Sequence, residues 1–195
     1  MQILKQEPLW LIEYRERNKI IVDEKPLKKS QYYDVKQLDN FLDVKGHDEL
    51  KLPEIESLGV EVLRWEDAID RYGGKIKEIL ESEEKPRNQY EAFVNANFNT
   101  GFILIIRNKI DGILEYPIDA SRNAIVKNIV IVEEGIEDLK ILEDFKNNTS
   151  YFGETIYLAS NTKVTFCRTF DLNEQAIVNQ QAIIGRDSSL NNANA

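Results

Sequence analysis

The sequence predicts a mixed α and β fold, in which a small, mainly helical N-terminal lobe (residues 1–98) precedes a β-rich region (residues 99–195). Before residue 98, apolar residues recur at the three- and four-residue spacing of helices. After it, short runs rich in Ile, Val, Tyr, Phe and Thr alternate with turn residues. No helical pattern long enough for a crossover lies between these runs, which argues against βαβ units.

Four helices are expected in the lobe. The first, at residues 8–20, opens with a proline that suits a first helical turn, where its missing N–H group would have no partner. A second is expected at residues 34–44. A third covers residues 66–81 and could be interrupted at Gly73–Gly74, since each glycine costs about 1 kcal/mol inside a helix. A fourth follows Asn88, whose side chain suits an N-cap.

Strands are expected on both sides of residue 98. The first, at residues 59–63, alternates apolar and charged side chains. Charged residues at 82–86 are interpreted as a linker within the lobe. The strands of the β-rich region are expected at residues 102–107, 113–116, 125–132, 139–142, 155–159, 164–170 and 176–184.

The strand pattern leaves two architectures open. Asp111–Gly112 is a typical two-residue hairpin signal and favours an antiparallel sandwich or barrel. Asparagine-rich turns favour a parallel β-helix, because asparagine tolerates the left-handed conformations of tight corners. Residues 129–132 show little alternation, as expected for a strand covered on both faces.

Composition and charge exclude several classes of partner. The formal net charge of −9 argues against nucleic acid, because phosphate binding needs a basic surface. No apolar run reaches the ~18 residues of a membrane span, so no membrane association is expected. The N-terminus lacks the basic-then-apolar order of a signal peptide. A cytoplasmic protein is therefore expected.

The residues with reactive side chains indicate no catalytic, cofactor-binding or metal site. Cys167, the single cysteine, is interpreted as a small apolar strand residue, because one thiolate cannot hold an iron–sulfur cluster. The single histidine, His47, is expected on a surface loop. Glu133, Glu134 and Glu143 could suggest acid–base chemistry but are interpreted as strand-end charges. Core or stacking positions are expected for Tyr151, Tyr157 and Phe166.

Four segments share order and spacing with one known family. They are residues 7–15 (EPLWLIEYR), 59–68 (GVEVLRWEDA), 90–106 (YEAFVNANFNTGFILII), and 129–135 with 139–143 (IVIVEEG and LKILE). Together they resemble the SufB/SufD family, the β-helix proteins of SUF iron–sulfur cluster assembly. The resemblance implies a helical N-terminal lobe followed by a right-handed parallel β-helix. Since family members usually continue with more coils, it also implies that residues 99–195 form an incomplete, truncated β-helix.

The resemblance also implies a function and partners. A SufB/SufD-like chain is expected to be a non-catalytic scaffold subunit that forms a complex with a SufC-type ATPase and with a SufB/SufD homologue or a second copy of itself. No cofactor is expected in this chain, and an iron–sulfur cluster could be held transiently only at an interface of the complex. The chain departs from the SufB branch at Thr169–Leu172 and Gln180–Ala182, so it is closer to SufD or divergent.

Two other functions are compatible with a β-helix. One is a stand-alone protein–protein interaction module, which would have no part in cluster assembly. The other is a carbohydrate-active β-helix enzyme, which would carry a cluster of carboxylates on one face of the coil. No such cluster stands out in the sequence.

Overall fold

The computed structural model describes residues 7–24, 50–120, 124–147, 151–172 and 176–194. The described part contains a helical N-terminal part and a β-solenoid of about three turns, which confirms the predicted fold class. The helices of the described ranges are α1 (Leu9–Glu24), α2 (Trp65–Ser82) and α3 (Gln89–Asn97). The strands are β1 (Val60–Arg64), β2 (Phe102–Ile106), β3 (Ile113–Ala120), β4 (Ile125–Val132), β5 (Leu139–Asn147), β6 (Tyr151–Leu158), β7 (Lys163–Leu172), β8 (Ile177–Ile184) and β9 (Ser189–Asn194).

The strands form two sheets, which are the two sides of the solenoid. One sheet has the order β1-β2-β4-β6-β8 and the other the order β3-β5-β7-β9. Consecutive strands from β2 onward alternate between the sheets, so each coil contributes one strand to each. Every neighbouring pair is parallel except β1 with β2, which is antiparallel. Strand β1 lies within the sequence predicted as the lobe, yet it forms the edge of the first sheet.

The hairpin suggested by Asp111–Gly112 does not form. Strands β2 and β3, on either side of this turn, lie in different sheets and each pairs in parallel with a later strand. Gly112 has a φ of +97°, a conformation that suits glycine, and it turns the chain from one sheet into the other. The antiparallel sandwich is therefore excluded, because a tight turn serves a coil corner as well as a hairpin.

The interior of the coil is apolar over most of its length. Alternate residues of each strand point inward, and β4 is buried at every residue because helices cover its other face. This explains why residues 129–132 show little alternation. Tyr151 and Phe166 are buried as predicted. Tyr157 is half-buried, and Lys75 Nζ lies 4.0 Å from the centre of its ring.

The helices largely follow the sequence prediction. Helix α2 contains a kink at Tyr72 (φ −132°, ψ 18°), directly before the glycine pair expected to interrupt it. Asn88 caps α3, since its Oδ1 accepts a hydrogen bond from Glu91 N at 3.0 Å. The predicted helix at residues 34–44 and His47 lie outside the described residues. Within the described ranges, no helix has the length and apolar character needed to cross a membrane.

Several strands are longer than the sequence pattern suggested. Strand β5 continues to Asn147, and β6 begins at Tyr151 rather than at residue 155. Strand β9 (Ser189–Asn194) was not predicted, because its polar residues carry no strand signal. It forms because parallel pairing with β7 supplies its backbone hydrogen-bond partners.

Candidate functional site

A layer of polar side chains crosses the interior of the solenoid. Parallel register places Tyr116, Glu143 and Arg168 side by side on β3, β5 and β7. It likewise places Glu154 beside Gln180 on β6 and β8 of the opposite sheet. Glu143 and Glu154 are at most 1% exposed, and Arg168 is 4% exposed. Charged groups so deep in a core must be paired, because desolvation of an isolated charge is costly.

Arg168 joins the two sheets through both carboxylates. Its Nε donates to Glu143 Oε2 at 2.8 Å, and its Nη2 donates to Glu154 Oε2. The Tyr116 hydroxyl donates to Glu143 Oε1 at 2.9 Å. Gln180 Nε2 donates to Glu154 Oε2 at 3.1 Å. The coil is therefore linked across its interior by charge-assisted hydrogen bonds, which are stronger than neutral ones.

Burial controls the electrostatics of this layer. It raises the pKa of the Glu143 carboxyl well above its usual range, and the nearby charge of Glu154 raises it further, while Arg168 opposes both effects. Burial also raises the pKa of Tyr116, to which the charges of Glu143 and Glu154 add. Burial alone would lower the pKa of Arg168, but the two carboxylates raise it, so the guanidinium is charged.

The three glutamates considered in the sequence have different environments. Glu133 is half-exposed and lies 3.4 Å from Arg107, and Glu134 accepts a hydrogen bond from Asn161 on the surface, as expected of charges at a strand end. The same interpretation is wrong for Glu143, which lies within β5 and is completely buried. It is wrong because the pairing of β5 with β7 brings Arg168 beside it.

Sequence reasoning missed Glu154 and Arg168. The only signal for Arg168 is its place in an alternating strand, two residues after Phe166 and four after Val164, both of which face inward. An arginine at an inward position predicts a buried acidic partner. Finding that partner requires the register between strands, which local patterns do not reveal.

Cys167 lies in β7 as expected, but on the outer face of the sheet. Its neighbours Phe166 and Arg168 point inward, and Cys167 is only partly buried. Leu142 and Ala193 flank it in register. Across the described residues, no group of three or more His, Cys, Asp or Glu side chains has the geometry to hold a metal ion.

A second buried cluster joins the helical lobe to the outer face of the solenoid. Lys127 Nζ on β4 lies 2.7 Å from Glu83 Oε1, and their side chains are 2% and 3% exposed. Glu83 also accepts hydrogen bonds from the Tyr14 hydroxyl, at 2.5 Å, and from Thr155 Oγ1. Lys127 donates to Asn95 Oδ1 at 3.1 Å. Burial, followed by the charge of Glu83, raises the pKa of Tyr14 well above its usual range.

The predicted charged linker at residues 82–86 does connect α2 to α3, but one of its charges, Glu83, is buried. Glu83 connects three elements, because its hydrogen-bond partners lie on α1, β4 and β6. The charge pattern of the segment did not distinguish Glu83 from its exposed neighbour Glu84. Lys127 was unexpected for the same reason, because a lysine within an apolar strand has no local sign of a buried partner.

A cleft of about 220 Å³ opens beside the Glu83 cluster. Its walls come from α1, from the end of α2 and from the segment that follows α2. Charges of both signs line it, and the Glu83 carboxylate at its base is already occupied by internal hydrogen bonds. The residues that line it include Tyr14, Arg17, Asn18, Glu83, Glu84, Lys85 and Asn95.

Arg15 connects α1 to the end of α3 through hydrogen bonds and ring stacking. Its guanidinium lies 3.9 Å from the centre of the Phe98 ring and donates to the backbone oxygens of Ala96 (3.0 Å) and Phe98 (2.9 Å). The same group lies 3.1 Å from Glu7 Oε1. Carbonyl groups at a helix end lack helical partners, so this arginine satisfies groups that would otherwise be buried and unpaired.

Trp65 and Gly101 connect the Arg15–Phe98 contact to strand β4 of the solenoid. Trp65 Nε1 donates to the backbone oxygen of Lys127 at 2.8 Å, and its ring lies 4.9 Å from that of Phe98. Gly101 has a φ of +149°, and a Cβ atom there would stand 1.9 Å from the same Lys127 oxygen. Only glycine permits this close approach between the chain entering β2 and strand β4.

No protein-family model matches the chain, and no curated protein matches it. The two buried clusters are held by internal hydrogen bonds, one between strands and the other between strands and the helical part. Such clusters can specify how the coils and the lobe fit together.

Proposed function

We propose that this chain is a non-catalytic scaffold subunit of iron–sulfur cluster assembly, of the SufB/SufD type. It acts by forming a complex with a SufC-type ATPase and with a homologous partner or a second copy of itself. The proposal is supported by the positions of the resembling segments in the fold. The first three segments and the β4 part of the fourth are scattered along the chain, yet they pack together at the junction between the helices and the solenoid.

The contacts at this junction connect the segments directly. Arg15 of the first segment binds Ala96 and Phe98 of the third. Trp65 of the second packs on Phe98 and donates to Lys127, and it shares an apolar cluster with Ile129 of the fourth. Gly101 of the third segment makes the close approach to the same strand. The likeness thus coincides with one structural unit, as expected if these residues maintain a family architecture.

The position of the carboxylates supports a scaffold over a carbohydrate-active β-helix enzyme. That enzyme would need a pair of acids on a face of the coil that a substrate can reach. Glu143 and Glu154, the paired acids found here, lie inside the coil and are bound to Arg168. A substrate could not reach them without opening the solenoid.

A binding measurement tests the proposal. The purified chain, shown to be folded by circular dichroism, would be used to capture the SufC-type ATPase and the other SufB/SufD homologue of the same organism. We expect at least one to bind reversibly, and an unrelated ATPase of similar charge to fail. The same measurement on any longer parent protein would show whether the docking surface lies within these 195 residues.

The outcomes separate the alternatives. A folded chain that binds neither protein, with a parent that also binds neither and does not affect cluster assembly, would contradict the proposal. It would favour the stand-alone interaction module. Binding by the parent alone would retain the scaffold function and assign the docking surface to residues outside this chain.

A further inference from the structure

The polar layer inside the solenoid carries an unbalanced charge. Glu143 and Glu154 contribute two carboxyl groups, and Arg168 contributes one guanidinium. The other side chains of the layer on the remaining strands are Tyr116 on β3, Asn128 on β4 and Gln180 on β8, together with Asn192 on β9, whose Nδ2 donates to Gln180 Oε1. None of these carries a cation. With both glutamates ionised, the layer would hold a net charge of −1 on groups that are at most 4% exposed.

Two buried polar atoms of the layer have no partner among the described residues, Glu154 Oε1 and, on the neighbouring strand β4, Asn128 Nδ2. The Tyr116 hydroxyl donates a hydrogen bond to Glu143 Oε1, and Arg168 donates one to Glu143 Oε2. Arg168 and Gln180 both donate hydrogen bonds to Glu154 Oε2. Glu154 Oε1 is buried and has no donor among the described residues. An unpaired carboxylate oxygen in a core is unfavourable, and such atoms usually indicate an unassigned proton, water molecule or ion.

We propose that Glu143 and Glu154 hold one proton between them at neutral pH, so that the interior of the solenoid is a proton-binding site. One proton removes the excess negative charge of two carboxylates that share one guanidinium. Both carboxyl groups bind the guanidinium of Arg168, so protonation of one of them removes the repulsion between two buried charges on the same partner. A metal ion would fit less well, because Arg168 already occupies the cationic position between the two acids.

This proton links the packing of the coils to pH. The pKa of Glu143 is raised in the folded chain, first by burial and then by the charge of Glu154. The proton therefore stays bound through the range in which an exposed glutamate ionises. Its release at higher pH would place two negative charges around one arginine and weaken the link between β5, β6 and β7. The solenoid would then loosen on the alkaline side.

Carbon-13 NMR of the full chain labelled at the glutamate side-chain carboxyl carbons tests the proposal. At neutral pH we expect one glutamate carboxyl resonance at the position of a protonated acid, and it should titrate above the range of all the others. Glu143→Gln and Glu154→Gln should each remove this resonance, because either change leaves a single carboxylate balanced by Arg168. Glu133→Gln is the control, since this half-exposed glutamate lies outside the layer, and it should leave the resonance in place.

The spectrum of the wild-type chain tests the proposal even if a variant fails to fold. If every glutamate carboxyl of the folded wild-type chain is ionised at neutral pH, the proposal is wrong. It is equally wrong if the protonated resonance survives in a folded Glu143→Gln or Glu154→Gln chain. The double variant Glu143→Gln with Glu154→Gln should be less stable than either single variant, because it leaves Arg168 buried without a counter-charge.

Discussion

Lys127 Nζ and Glu83 Oε1 lie 2.7 Å apart at the boundary between the solenoid and the helical lobe, and both side chains are almost completely buried. Lys127 is on the outer face of β4, and Glu83 directly follows α2. The attachment of the lobe therefore includes a buried charged contact, which further hydrogen bonds surround. This arrangement makes the interface sensitive to the loss of either partner.

Removal of one partner of this pair should strongly destabilise the chain. We expect Lys127→Ala or Glu83→Ala to lower the free energy of unfolding by about 3–5 kcal/mol, because each leaves an uncompensated buried charge. Urea unfolding followed by circular dichroism measures this change. The matched control is Lys77→Ala, which removes a solvent-exposed pair with Glu81 and should cost less than about 1 kcal/mol. Equal effects at both sites would contradict the assigned role of the buried pair.

Arg15 should not be replaceable by lysine. Arg15→Lys keeps the charge but cannot reproduce both carbonyl hydrogen bonds and the stacking on Phe98. We expect a loss of about 2–3 kcal/mol in unfolding free energy, since a hydrogen bond to a charged group contributes about 1.5–3 kcal/mol. Arg17→Lys, at an exposed position on the same helix, should change stability little. Thermal and urea unfolding of both variants test this, and a tolerated Arg15→Lys change would show that the carbonyl contacts contribute little.

Two glycine substitutions should have opposite effects. Gly101→Ala places a Cβ atom 1.9 Å from the Lys127 oxygen and strains a positive φ, so β2 and β4 must separate locally. We expect a loss of about 3 kcal/mol or more, as for other core clashes combined with backbone strain. Gly74→Ala, in α2 with open space around it, should raise stability by up to about 1 kcal/mol. Urea unfolding of both variants gives the comparison, and a Gly101→Ala chain of wild-type stability would contradict the close approach.

The stability of the chain should fall as the pH becomes alkaline. The pKa of Glu143 is higher in the folded chain than in the unfolded chain, so the folded state binds more protons. This contribution is fully present below the pKa of the unfolded glutamate and is lost as pH rises through the pKa of the folded group. Urea unfolding should be measured from mildly acidic pH to below about pH 10, where unfolded tyrosine begins to ionise. Over this window Glu143→Gln should give a flatter profile than the wild type, and identical profiles would count against a raised pKa.

Local sequence patterns predicted the elements well where one side chain or one short run determines them. Asn88 was expected to cap a helix and does so, because an N-cap depends on a hydrogen bond only three residues away. The strand at residues 125–132 was predicted with its observed bounds, since six of its eight residues are isoleucine or valine. By contrast, Asp111–Gly112 was ambiguous, because the same turn residues serve a hairpin and a coil corner.

The amino-acid sequence by itself determined the helical start, the run of short strands and their apolar faces, because these follow from periodicity and from the conformations that glycine and asparagine permit. Only the tertiary structure decided which charges are buried. Glu143 meets Arg168, and Glu83 meets Lys127, through the parallel register of the coils and the packing of the lobe on β4. These contacts join residues far apart in the chain, and no local pattern contains the spacing that brings them together.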